Sequence, residues 1–510
     1  MSMTVTGSRG MVCASHQRAA DAGAEVLRAG GSAVDAAIAG GAVICALLPQ
    51  AVSIGGDGFM LYRGAADARV YALNATGASP AAADAARYPN GIPERGVDSF
   101  SVPGLIGGWG EAHRRFGRMP WKDLFGAAIE CAREAPMPRT VANAAEGYRD
   151  MLSRDAVATE LFYDGGAESG PLRKVMRQPA LAASFERLAG DGADAFYKDW
   201  GAESLSAFVQ REGGAMTAAD IRAYAPEWVE PISTAYRDCR VWGFPPNSYG
   251  LLMLLQLKAI AGFDMSRFGF SSTERFRALI SAAHAALAVG LDRIYDGSPA
   301  GPDDEDLCTA LSRKMAAAGG EGVSNRGGTA TISAVDRDGN LSVNILSVYM
   351  LFGSGRIDPG TGIVLQNRMA GFDTAPGKPR SLAPGRRPPH TLNPCIVEKD
   401  GKPWIGIVTP GGPGQTLTLT QVISAAVDLG MPLGDVIAGP RWSMDFTGTS
   451  ILEHGLPPDM SSELGAFGIS AVPAPPGSLF FGSVEAVQFL GNGELAGVAD
   501  QRRDAGAAAV

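Results

Sequence analysis

Two runs rich in β-branched and apolar residues, 329–335 and 341–349, flank the turn-forming residues Arg337-Asp338-Gly339-Asn340. This pattern predicts a hairpin of two strands. With a three-residue loop, Arg337 to Gly339, and Gly339 in the left-handed conformation, Asp336 pairs with Asn340 and Thr329 falls opposite Ser347. Directly opposed residues hold their Cβ atoms about 4.5–5.5 Å apart, close enough for two hydroxyls to interact.

Elsewhere the rhythm changes. Ser32 can cap a helix, with Asp35 three residues on, and an apolar run follows from 36 to 48. A membrane span needs roughly 20 such residues, so this run predicts a buried helix. Residues 53–58 read as a glycine turn leading into a buried strand at 59–62. From 105 to 323 the pattern is mostly helical, with amphipathic stretches at 121–134 and 273–294 and an exposed loop at 297–306. That loop would leave 325–328 free to move after a cut. A strand at 404–408 runs into Thr409-Pro410-Gly411-Gly412-Pro413-Gly414-Gln415-Thr416 and then a helix, and the Ala/Gly-rich tail after Asp504 reads as disordered.

Composition narrows the class. A chain of 510 residues, 46% hydrophobic, has room for one large domain or two to three ordinary ones. The net charge of −9 argues against nucleic acid or an anionic membrane as a main partner. Six cysteines without a Cys-x-x-Cys pair predict reduced, buried thiols. The five histidines lack metal-ligand spacing, so no metal site and no cofactor are expected. No basic, apolar leader opens the sequence, which predicts a cytoplasmic protein.

Chemistry concentrates at Gly327-Gly328-Thr329. A threonine hydroxyl is a weak nucleophile unless a base adjoins it, and its own α-amine becomes one when the preceding peptide bond is cut. On the hairpin alone, Thr329 and Ser347 read first as satisfied core hydroxyls. The loop 409–416 superficially matches a phosphate-binding loop, but Gln415 stands near the place of the lysine that such a loop requires.

These segments, with Pro359-Gly360-Thr361-Gly362 and Gln366-Asn367-Arg368, together resemble the gamma-glutamyltransferase family from about Gly7 to Asp500. The resemblance implies an α+β, four-layer αββα fold of the N-terminal nucleophile hydrolase type. It implies self-cleavage between Gly328 and Thr329, giving a large chain 1–328 and a small chain 329–510 that associate as one domain. Thr329 would be the nucleophile, Ser347 its companion hydroxyl, and Gly411 and Gly412 the backbone donors to the oxyanion. Whether the protein forms a homodimer or a higher assembly stays open.

The chain departs from the true transferases where they hold glutamate. Thr76 stands in place of the carboxylate-binding arginine, Tyr349 in place of an asparagine, Arg368 and Gly371 in place of the groups on the α-amine, and His390-Thr391 in place of two serines. The pattern is closer to the acylase-like branch typified by oxamate amidohydrolase. It implies cleavage of a small-molecule amide whose acyl group bears a carboxylate. Tyr349, Arg368, His390 and Thr391 would line the substrate pocket, with Arg368 as a bidentate partner for the carboxylate. Arg368 reads otherwise as a structural ion pair, and His390 as a core residue. Alternative functions are gamma-glutamyl hydrolysis or transfer on glutathione-like substrates, and a non-catalytic paralogue.

Overall fold

The computed structural model describes residues 2–168, 170–315, 327–445 and 447–510. Strand Asp57–Arg63 sets out the logic of the layers. Phe59 and Leu61 point to one side and Met60 and Tyr62 to the other, and both sides are buried. A strand buried on both faces takes mostly apolar residues, which is why 59–62 reads as a continuous run.

Two antiparallel seven-stranded sheets face each other. The first runs in the order Ser2–Gly7, Leu495–Asp500, Glu485–Phe489, Lys402–Val408, Cys395–Lys399, Cys239–Gly243, Ile232–Tyr236. The second runs Gly506–Ala509, Met11–Ala14, Gly327–Val335, Leu341–Met350, Asp57–Arg63, Val70–Ala75, Glu227–Val229. Phe59, Val343 and Ile345 of the second sheet meet Phe244, Ile396 and Val487 beside the first, and the Phe59 and Phe244 rings lie 4.3 Å apart. Helices such as Ala33–Leu47 cover the outer face of the second sheet, and Gly250–Ala261 and Gly414–Asp428 that of the first. The arrangement is the expected αββα.

The predicted cap on Ala33–Leu47 is complete. Ser32 Oγ accepts from the Asp35 N–H at 3.1 Å, and Asp35 Oδ2 accepts from the Ser32 N–H at 2.8 Å. The hairpin has the predicted register, with Thr329 opposite Ser347 and Gly339 at φ 84°. The six cysteines are free thiols, with Cys308 half-buried and the others buried.

The described part of 105–323 is mostly helical, as expected, interrupted chiefly by the strands Glu227–Val229, Ile232–Tyr236 and Cys239–Gly243. Two expectations need correction. The tail is not disordered: Gly506–Ala509 pairs with Met11–Ala14, and its carbonyls accept from Gln17 Nε2 at Ala507 (3.2 Å) and Arg28 Nη2 at Ala509 (2.9 Å). The stretch at 121–134 begins as a 3₁₀ turn, Trp121–Leu124, and is helical over Gly126–Arg133. The loop at 297–306 runs into helix Glu305–Met315, while Asn325 and Arg326, expected to move after a cut, lie outside the described residues.

Candidate active site

Strand Gly327–Val335 runs through the Gly328–Thr329 junction unbroken, and its partner strand shapes the junction. Pairing steps from Gly328↔Tyr349 to Thr329↔Ser347, so Val348 is an extra residue on the partner arm. Val348 N–H leaves the ladder and donates to Ala51 O at 3.1 Å. A bulge of this kind twists the strand and re-aims its side chains. Tyr349 just beyond it takes φ 78°, unusual for a residue with a side chain.

The bulge brings two hydroxyls onto the peptide bond. Thr329 Oγ1 lies 3.2 Å from Ser347 Oγ, and Ser347 Oγ donates to Gly328 O at 2.6 Å. A carbonyl oxygen only accepts, so the single hydroxyl hydrogen of Ser347 is committed to Gly328. Ser347 Oγ is left to accept, from the Tyr349 N–H at 2.8 Å and from the Thr329 hydroxyl. Thr329 and Ser347 are 3% and 1% exposed, so bulk water does not compete for these bonds.

Thr329 and Gly327 also border a cavity of about 410 Å³, with Ser15, Tyr148, Pro410 and Ser483 among its walls. Beneath it Thr331, two residues along the same strand face, bonds the buried Glu485 through its hydroxyl. Glu485 also accepts from Ser483 Oγ at 3.0 Å, and burial pushes its carboxyl up to about 8.

Gly411 (φ 138°) and Gly412 (φ 53°) form a turn that only glycine adopts readily, directly ahead of helix Gly414–Asp428. Their N–H groups lie near the positive end of that helix. Gly327 packs on them so closely that a Cβ there would come within 2.8 Å of Gly412 N. In this state the donor on Gly328 O is Ser347, and among the described residues neither glycine N–H reaches that oxygen.

Arg368, His390 and Thr391 are all buried, and neither they nor Tyr349 border the 410 Å³ cavity. Arg368 lies behind the hydroxyl pair. Its Nη2 is 3.4 Å from Ser347 Oγ, its guanidinium stacks 4.1 Å from the centre of the Tyr349 ring, and its Nε and Nη1 have no partner. Burial pulls it down to about 10. His390 packs edge-on against Phe59, with both ring nitrogens unpartnered and its Nε2 3.9 Å from Asp57 Oδ2. Burial, then the charges of Arg368 and Arg387, hold it neutral, well below the usual histidine range. Among the described residues no group of His, Cys, Asp or Glu is arranged to hold a metal ion.

Sequence reasoning missed Asp57 and Glu485, both with no exposed surface. The available signal was a lone acidic residue in an otherwise apolar strand: Asp57 before Gly58-Phe59-Met60, and Glu485 within Val484-Glu485-Ala486-Val487.

A family model described as gamma-glutamyltranspeptidase matches residues 19–510. The glutathione hydrolase-like proenzyme YwrD of Bacillus subtilis is 31% identical over 460 residues, covering 87% of this chain and 86% of its own length. The oxamate amidohydrolase proenzyme of Klebsiella pneumoniae is 31% identical over 461 residues, covering 86% of each chain. A crystal structure of cephalosporin acylase from Bacillus halodurans superposes with a TM-score of 0.91 at 29% identity, covering 100% of this chain and 97% of that one. Among the described residues no helix is long and apolar enough to cross a membrane.

Proposed function

Because the chain belongs to the gamma-glutamyltranspeptidase family, we propose that it is a self-processing threonine amidohydrolase or acylase, acting on the amide of a small acyl group that bears a carboxylate. The observation carrying this reading is Ser347, whose hydroxyl bridges the Thr329 hydroxyl and the Gly328 carbonyl.

Before the cut Thr329 has no free amine to act as base, and the bridge supplies another route. As Thr329 Oγ1 attacks the Gly328 carbonyl carbon, its proton passes to Ser347 Oγ and the Ser347 proton passes to the carbonyl oxygen. The tetrahedral adduct therefore forms without net charge. Its collapse breaks the bond to the Thr329 nitrogen, to which the adduct's hydroxyl proton returns. Gly328 is left as an ester on Thr329, and water hydrolyses that ester to give 1–328 and 329–510.

In the mature protein the freed α-amine takes the Thr329 hydroxyl proton during attack on a substrate amide and delivers it to the departing amine. The N–H groups of Gly411 and Gly412 hold the oxyanion, each such donor contributing roughly 2.7–4 kcal/mol in the transition state. Water then releases the acyl group.

The carboxylate preference rests on Arg368. A buried guanidinium with two unpartnered nitrogens beside the nucleophile is costly unless an anion completes it. Thr76, Tyr349 and Gly371 provide none of the groups that would grip an α-amino acid, which argues against glutathione. Purified protein should separate into two fragments under denaturing conditions, the smaller beginning Thr-Ala-Thr-Ile-Ser. Thr329→Ala should give one full-length, inactive chain. Any other N-terminus on the small fragment removes Thr329 as nucleophile.

A further inference from the structure

Asp57 occupies a place the reading above leaves unused. It lies directly across from Ser347 in the strand pairing and has no exposed surface. Its Oδ1 accepts from the Gly77 N–H at 3.0 Å, while Oδ2 has no partner and faces His390 Nε2 at 3.9 Å. Counting Arg368 Nε and Nη1 and both nitrogens of His390, three neighbouring buried side chains hold five unpartnered polar atoms. Each such atom costs about 1–3 kcal/mol when left bare, so a polar guest reaching the cluster would relieve that cost.

The inference rests on the carboxylate preference assigned to Arg368. A guest carboxylate there would bring a second acid against Asp57. Two carboxylates sharing one buried site do not both ionise, because their repulsion adds to the cost of desolvation. We propose that Asp57 is a specificity residue that receives the substrate's carboxylate as a neutral acid: Oδ2–H donates to one carboxylate oxygen, Arg368 holds the other, and binding takes up one proton from solvent. The buried site is then neutral overall, one guanidinium against one carboxylate, with His390 uncharged beside them.

The surroundings favour the protonated form. Burial pushes the Asp57 carboxyl up to about 7, opposed by the charges of Arg368 and Arg387 and by the N–H groups of Gly77 and Gly104. His390 is held neutral from the adjoining loop. Ser347 and Tyr349 face the cluster from the partner strand, and Tyr197 and Tyr224, both pushed up by burial, stand on the helical side. Free Asp57 thus ionises as pH rises through about 7. Above that point a carboxylate guest must bring a proton with it, whereas below it the proton is already in place.

Calorimetry on the mature two-fragment protein with butyrate, an inert monocarboxylate, in two buffers of different ionisation enthalpy gives the proton count directly. Uptake approaching one proton at pH 8 is expected, with affinity falling roughly tenfold per pH unit above 7. Asp57→Asn should bind butyrate with no proton uptake and with pH-independent affinity, since its amide donates as the neutral acid does. The KM for succinamate should follow the same two profiles. Binding without proton uptake in the wild-type protein, or uptake that persists in Asp57→Asn, overturns the role of Asp57 and leaves the carboxylate preference standing. If butyrate does not bind, or butyramide is cleaved as well as succinamate, the Arg368 reading itself fails and this one with it. Should Asp57→Asn not mature, the wild-type proton count alone decides.

Discussion

Ser347 illustrates how much a single hydroxyl can carry when its one hydrogen is committed. It donates to Gly328 O and accepts from Thr329, so in the proposed mechanism it would act both on the bond that matures the chain and on the nucleophile that remains. Ser347→Ala should slow fragment formation and turnover each by roughly ten- to a thousandfold, the scale for one positioned proton-transfer group. Equal rates in mutant and wild type would disconnect Ser347 from both steps. Arg368→Lys should raise the KM for succinamate at least tenfold while sparing butyramide, because an ammonium cannot reproduce the two-pronged guanidinium contact. A uniform loss on both amides would mark Arg368 as structural. Thr329 and Ser347 stand out as candidates through their neighbours in sequence, and Arg368 through the family resemblance. Asp57 does not, because Gly55-Gly56-Asp57-Gly58 reads as a turn, and its meaning depends on Arg368 and His390, more than 300 residues away.

The hairpin is the element the sequence specified best. Its strands carry their apolar residues locally, and the turn advertises itself through Asp338-Gly339. Gly339 sits at φ 84°, a conformation costing a residue with a side chain about 1–2 kcal/mol. Gly339→Val should therefore lower unfolding stability by that amount in a denaturant titration, with the small fragment still beginning at Thr329. A shifted N-terminus would mean that the turn, rather than the strand pairing, sets the register. Other elements escaped notice because their partners lie far away. Ile232–Tyr236 and Glu227–Val229 are edge strands amid charged residues, and Arg237 and Arg240 conceal the alternation that buries Tyr236 and Val241. Gly506–Ala509 has almost no side chain to signal with, and it is held by the backbone of Met11–Ala14 and the side chains of Gln17 and Arg28.

At the scale of the whole molecule, each sheet draws strands from both sides of the Gly328–Thr329 junction. Gly327–Val335 is flanked by Met11–Ala14 on one side and Leu341–Met350 on the other, and Lys402–Val408 shares its sheet with Ile232–Tyr236 and Ser2–Gly7. A cut at Gly328 thus severs a link without opening an interface, and the two pieces should stay together. That layered plan came from the family resemblance; periodicity alone gave strands and helices without their stacking. The bridge from Thr329 through Ser347 to Gly328 also dictates how maturation would scale under the proposed mechanism. The proposed nucleophile, proton carrier and scissile carbonyl all belong to one chain, so the first bond each molecule breaks would be its own and the process unimolecular. Maturation should follow a single exponential whose half-time is the same at nanomolar and micromolar protein, and adding finished enzyme should not hasten it. A half-time that shortens on concentration would mean that one molecule cuts another. Otherwise every copy carries its own clock, started by folding and indifferent to the crowd around it.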